Sequence, residues 1–239
     1  MNQIGEQLQV MYLEYWNRLK GALADGNVNL HSLSNPFLID ADEPYQEASI
    51  KVLFVGKETN GWGQYIDHVD REPEEAICDL QNDYIRFRRD GKWGHTPFWR
   101  ACRIIYDKLN TGGPKDGYMT SNLIKLDQNR TRPSPEVEEI ICNNFPLLPY
   151  EIKILSPDVV LFFTGPYYDD RLQRTFAGSV LDSVNGMPLN LLCRVIHDKL
   201  PYHSYRTYHP GYSLRGNKAK VARFDPVVDA IVNLVLQKY

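Results

Sequence analysis

An α/β fold is predicted for this chain by three observations. Ile50-Lys51-Val52-Leu53-Phe54-Val55-Gly56 is a run of β-branched and aromatic residues ended by glycine, and Val159 to Gly165 is a second. Runs of this kind, bounded by turn residues, read as strands buried on both faces. Around them lie stretches whose apolar residues recur at helical spacing. With 239 residues, 43% of them hydrophobic, a single domain over residues 1–239 with a sizeable core is expected.

Taken in order, residues 4–23 place Leu8, Met11, Tyr12, Tyr15, Trp16, Leu19 and Leu23 on one helical face, so an amphipathic helix is predicted there. Residues 24–49, rich in Asn, Asp, Pro and Ser, read as loop leading into the first strand. Glu72 to Arg88 mixes acids with Ala76, Ile77, Leu80, Tyr84 and Phe87 in the pattern of a surface helix. Thr96 and Pro97 read as N-cap and first residue of the next helix, which reaches Leu109 and carries Phe98 and Trp99 at its entrance.

Tyr118 to Leu126 is predicted as a strand with Asn122 inside it. An amide there needs partners, because a buried unsatisfied polar group costs about 1–3 kcal/mol. Ser134-Pro135-Glu136 announces a helix with Val137, Ile140, Ile141 and Phe145 inward, broken at Pro146 and Pro149 before a segment ending at Leu155. A helix over Tyr167 to Phe176 and strands at Cys193 to His197 and Ser204 to Tyr208 follow. Asp225 and Pro226 are expected to cap a terminal helix with Val227, Val228, Ile231, Val232, Leu234 and Val235 inward.

Composition bounds the chemistry. Four cysteines stand far apart without a CxxC pair, which favours neither a zinc knuckle nor a disulfide framework. No signal-peptide pattern or membrane-spanning run occurs, so a cytoplasmic protein with no membrane partner is expected. A net charge of −3 argues against coating nucleic acid, yet Arg206 to Arg223 holds Arg206, Arg215, Lys218, Lys220 and Arg223 with no acid. The turn after Gly56 has the spacing of neither a P-loop nor GxGxxG, and no GxSxG elbow occurs, which sets aside an unrelated nucleotide-binding enzyme or α/β hydrolase.

In open α/β sheets ligands sit outside the carboxyl ends of the strands. Those ends carry Glu58 after the first strand, Asn122 in the second and His209 after the last, and Phe98 adds a stacking ring. The order Val55-Gly56-Lys57-Glu58, Pro97-Phe98-Trp99-Arg100-Ala101, Ser121-Asn122-Leu123-Ile124-Lys125, Asn129-Arg130, Pro135 to Cys142, Val159 to Gly165 and His209-Pro210 resembles the uracil-DNA glycosylase superfamily. Within it the similarity is greatest to the branch that usually carries an iron–sulfur cluster, and it spans roughly residues 45 to 225.

The resemblance implies a three-layer α/β/α sandwich with a short, mainly parallel central sheet, acting as a monomer on single- or double-stranded DNA. Its activity would be hydrolysis of the N-glycosidic bond of a base flipped out of the stack, where that bond can be reached. Glu58 would position water or stabilise the sugar cation, and His209 would donate to the base oxygen as negative charge develops there. Phe98 would stack on the base, Asn122 would bond its edge, and Gly56, Lys57 and Asn60 would line its pocket. Tyr212 or Leu214 would act as wedge, with Arg215, Lys218 and Lys220 at phosphates.

The departures are specific. Only Cys142 matches a cluster cysteine and Leu126 stands where another would be, so neither cluster, metal nor other cofactor is expected. Thr59-Asn60-Gly61-Trp62 replaces the family's proline and the Tyr or Gly behind it, and a glutamate stands where the family has Asp or Asn. A base-binding or nucleic-acid-binding protein without hydrolysis is therefore the alternative on the same fold.

Overall fold

The computed structural model describes residues 3–91, 94–184, 186–211 and 218–237, with side chains described for all but 218–223. In chain order its elements are α1 (Gln3–Asp25), α2 (Glu43–Glu47), β1 (Val52–Gly56), α3 (Pro73–Asp90), α4 (Pro97–Leu109), β2 (Met119–Asn122), α5 (Pro135–Asn144), α6 (Leu148–Leu155), β3 (Val159–Phe162), α7 (Asp169–Thr175), β4 (Val180–Ser183), β5 (Leu192–Ile196), β6 (His203–Thr207) and α8 (Lys218–Leu236). The chain divides into two units. Met1–Ala41, Lys57–Asp90 and Ser121–Leu155 make the first, and Asp42–Gly56, Gly91–Thr120 and Ser156–Tyr239 make the second.

The first unit is helical. Leu8, Tyr12, Trp16, Leu19 and Leu23 recur at helical spacing and are fully buried, which turns one face of α1 toward α3, α5 and α6. Ser134 caps α5 by accepting a hydrogen bond from the Val137 N–H at 3.4 Å, with Pro135 as first helical residue. Helix α5 stops at Asn144 and α6 begins at Leu148, which places the break around Pro146.

Beneath α1 lies a buried polar cluster. Lys125 and Glu151, with side chains 2% and 0% exposed, form an ion pair. The Ser121 hydroxyl donates to Glu151 at 2.7 Å and accepts from the Lys125 ammonium, and the Tyr12 hydroxyl donates to the other carboxylate oxygen at 2.9 Å. Tyr12 also accepts from the Ile39 N–H at 3.1 Å. Burial pulls the Lys125 ammonium below its usual range, and the Glu151 carboxylate offsets part of that.

The second unit contains five strands and the start of a sixth, β2, and among the described residues the sheet has the order β2-β1-β3-β6-β5-β4. Strands β1, β3 and β6 run parallel, with Val52 opposite Val159 and Val159 opposite His203; β5 and β4 continue antiparallel. All five β1 residues are buried, as a parallel strand covered on both faces should be. Val52, Phe54, Val159, Leu161, Leu192 and Tyr205 join Ala101, Cys102 and Ile105 of α4 and Val227, Ile231 and Val235 of α8 in one apolar core. Asn110, at the end of α4, satisfies both ends of its amide on Ile50 by accepting from its N–H at 2.9 Å and donating to its carbonyl at 3.0 Å.

Three expectations are corrected. Strand β2 stops at Asn122, because Leu123, Ile124 and Leu126 are buried as part of a loop; Asn122 thus ends the strand. Pro226 lies inside α8, which begins at Lys218. Residues 43–47 of the expected loop form α2, nucleated by the Asp42 carboxylate accepting from the Tyr45 N–H at 3.3 Å. No helix among the described residues is long and apolar enough to cross a membrane.

Burial of phenols sets a limit at alkaline pH. It pushes Tyr205 up to about 12 and raises Tyr12 and Tyr65 well above their ordinary value. An unfolded tyrosine ionises at about 10. The folded pKa is the higher one, so this stabilisation is complete below about pH 10 and is lost as pH rises through the folded values. The urea midpoint is expected to be level from neutrality to that point and then to fall, with the tyrosinate absorbance of the buried rings appearing together with unfolding. A midpoint that stays level well above that pH would contradict this.

Candidate functional site

In the second unit the parallel alignment of β1, β3 and β6 brings their carboxyl ends to one edge of the sheet. Gly56 ends β1 there, and β6 leads through Tyr208 to His209. Between them, the turn after β3 is held by the Phe163 N–H donating to the Val55 carbonyl at 2.8 Å and the Gly165 N–H donating to the Thr207 carbonyl at 2.9 Å. Gly165 has φ 70, a conformation side chains resist, which explains the glycine at this corner. The neighbouring Thr164 hydroxyl is buried without a partner among the described residues.

Phe98, the second residue of α4, reaches this edge. Its ring lies 5.6 Å from the His209 imidazole at an interplanar angle of 20°, and stands edge-on to Phe163 at 5.8 Å and to Trp99 at 5.5 Å. Phe163 and Trp99 thus brace the Phe98 ring, and Phe98 in turn stacks on His209. The Gly211 N–H donates to Nδ1 of His209 at 3.0 Å. With Nδ1 accepting, a neutral imidazole carries its proton on Nε2, which becomes the ring's donor.

In the first unit the Lys57 to Gly63 loop is tied down from several sides. The Lys57 carbonyl accepts from the Ile124 N–H at 2.9 Å, binding this loop to the segment that follows Asn122. Thr59 is buried with its hydroxyl 2.8 Å from that of Ser34. The Gly61 N–H donates to Asp127 at 2.7 Å, and the Trp62 carbonyl accepts from the Asn35 N–H at 3.0 Å. The Trp62 ring is wedged edge-on between Phe37 and Phe87, each at 5.0 Å. Lys57, Glu58 and Asn122 are half-buried, whereas Asn60 is exposed.

Both glycines of this loop have positive φ, 77 at Gly61 and 64 at Gly63. A Cβ on Gly61 would come within 2.9 Å of the Arg130 side chain, and one on Gly63 within 2.4 Å of the Asn35 amide. Opposite them, Asn129 and Arg130 are left-handed as well, with φ 53 and 62. Asparagine tolerates this conformation and arginine rarely adopts it, at a cost of about 1–3 kcal/mol. Asp127, 2% exposed, holds the strained turn by accepting from the Arg130 N–H at 2.8 Å with its second oxygen.

The structure therefore brings Phe98 and His209 into ring contact and locks the Glu58 loop to the segment following Asn122. Tyr212, Leu214 and Arg215 lie outside the described residues, as do the side chains of Lys218 and Lys220, whose backbone opens α8. Arg206 does not belong to a positive surface: it is 1% exposed in β6 and donates to Asp169 at 2.8 Å and to the Asn190 carbonyl at 3.0 Å. Asp127, Ser34 and Thr164 escaped the sequence reading, though the polar Asp127 after an apolar run was a usable signal. Compared with known proteins, the chain matches no family model and no curated protein to a significant degree.

Proposed function

We propose that the chain is a monofunctional DNA glycosylase of the uracil-DNA glycosylase type, built on a three-layer α/β/α arrangement and acting on uracil or another modified base flipped out of DNA. The observation that carries this reading is the Phe98–His209 pair. A flat apolar ring and an imidazole whose Nε2 carries the proton are what a flipped base needs, one to stack and one to donate.

In this reading bond cleavage leaves negative charge on the base and positive charge on the sugar. His209 Nε2–H stabilises the first by a hydrogen bond that strengthens as the oxygen gains charge. Glu58 stabilises the second or orients the attacking water, and Asn122 bonds the base edge. Gly56, Lys57 and Asn60 shape the surroundings of the base, and the stretch from Tyr212 to Lys220 meets the DNA. The ordered motif set and the parallel strands support the reading.

The alternative, binding without hydrolysis, is favoured by one feature. Glutamate at position 58 sets the carboxylate one methylene farther from the backbone than the family's aspartate, and catalytic geometry tolerates little displacement. Oligonucleotides carrying uracil, hypoxanthine or modified pyrimidines, treated with the protein and then with alkali, separate the two. Strand cleavage at one of these bases is expected. Tight binding with every base retained would establish the alternative, and neither binding nor release on any substrate would sink the assignment.

A further inference from the structure

The first unit holds a cavity of about 430 Å³ walled by Ser32, Gly61, Gln64, Asp127, Asn129 and Arg130. Three facts show that its wall is built to present Arg130. The residue is held at φ 62, against its conformational preference, by a buried carboxylate. Its side chain lies across Gly61, where a Cβ would meet Nε at 2.9 Å, so glycine is what lets the guanidinium rest on that loop. Among the described residues it is paired with no carboxylate.

Asp127, the acid in the wall, is 2% exposed and has an oxygen on each of two N–H groups, those of Gly61 and Arg130. The turn is not itself an anion-binding nest of N–H groups. The Asn129 N–H donates to the Ser32 carbonyl, the Arg130 N–H to Asp127 and the Thr131 N–H to the Gln128 carbonyl. What the strain delivers is the placement of a side chain: Arg130 rests against Gly61, in the loop that begins with Lys57 and Glu58, and shares the cavity wall with Gln64 and Asn129.

We propose that this cavity takes a phosphodiester group of the DNA strand, with Arg130 as its charged anchor and Gln64 and Asn129 as neutral donors. The proposal rests on the glycosylase reading only for the identity of the polymer. Guanidinium groups match phosphate oxygens in planar, two-point geometry, and their planar fork loses less freedom per hydrogen bond formed than a lysine ammonium does. The cavity adds affinity without reading sequence, since phosphate contacts position a strand and do not identify its bases.

The test is fluorescence anisotropy of fluorescein-labelled single- and double-stranded oligonucleotides, with and without a modified base, titrated against salt. Arg130→Gln is expected to weaken binding several-fold on all of them alike and to lower the slope of log K against log salt by about 0.7–0.9, the share of one phosphate. Arg130→Lys keeps most of the slope, and the exposed position leaves the melting temperature of both variants unchanged. An Arg130→Gln variant with wild-type affinity and slope overturns the proposal, as does a wild-type protein that binds no oligonucleotide. Calorimetry with inorganic phosphate covers the other source: Arg130-dependent binding of the free ion, with oligonucleotide binding independent of Arg130, overturns the strand assignment. Base release that persists while Arg130 has no effect removes this inference alone; Arg130-dependent binding without base release removes the glycosylase reading alone.

Discussion

Single-turnover base release by the His209→Ala variant is expected to fall by about 10²–10³-fold, the usual effect of removing one donor aimed at developing negative charge. The expectation follows from how the ring is held. Gly211 N–H occupies Nδ1, and Phe98 stacks at 5.6 Å, so the imidazole arrives with one tautomer and one orientation. A hydrogen bond that strengthens only as the glycosidic bond breaks acts on the rate more than on affinity. DNA binding by the variant should therefore stay close to wild type while the rate collapses. Glu58→Gln, which keeps the shape and removes the charge, tests the other pole of the same bond. If both variants release base at the wild-type rate, neither residue takes part in chemistry; if the wild type releases base while both variants bind and release none, the non-hydrolytic alternative loses its ground.

Lys125→Met is expected to destabilise the protein by about 3–5 kcal/mol, because it leaves the Glu151 carboxylate uncompensated inside the first unit. The two remaining bonds to Glu151, from Tyr12 and Ser121, soften this loss without replacing the lost charge. Exchanging both members, as in Lys125→Met with Glu151→Leu, should recover most of the stability, since an apolar pair avoids the desolvation of two ions. Urea denaturation of the two single variants and the double variant measures this. A Lys125→Met variant as stable as wild type, or a double variant no better than the worse single one, would show that the pair is not coupled in this way.

Much of this framework was legible in the amino-acid order. Strands β1 and β3 announce themselves by apolar runs ending at Gly56 and Gly165, and α5 by Ser134-Pro135, because burial on two faces and cap chemistry leave local signatures. Strand β4 left none: Val180 is 57% exposed, and the strand exists because β5 offers it a partner. The end of β2 was also hidden, since buried loop residues such as Leu126 look the same as strand residues in a single sequence. At the site, the polar residues at strand ends could be named, but not the stacking of Phe98 on His209 or the strain at Arg130, which depend on tertiary neighbours. The burial of Glu151 left no local signal either, because its partners Tyr12, Ser121 and Lys125 lie outside its own helix.

The division into two units has a bearing on descent. Each unit is assembled from three separate segments, and the segments of one alternate with those of the other along the chain. A single cut anywhere releases neither unit free of pieces of its counterpart. A recombination event with one breakpoint could not have added, removed or exchanged either of them whole.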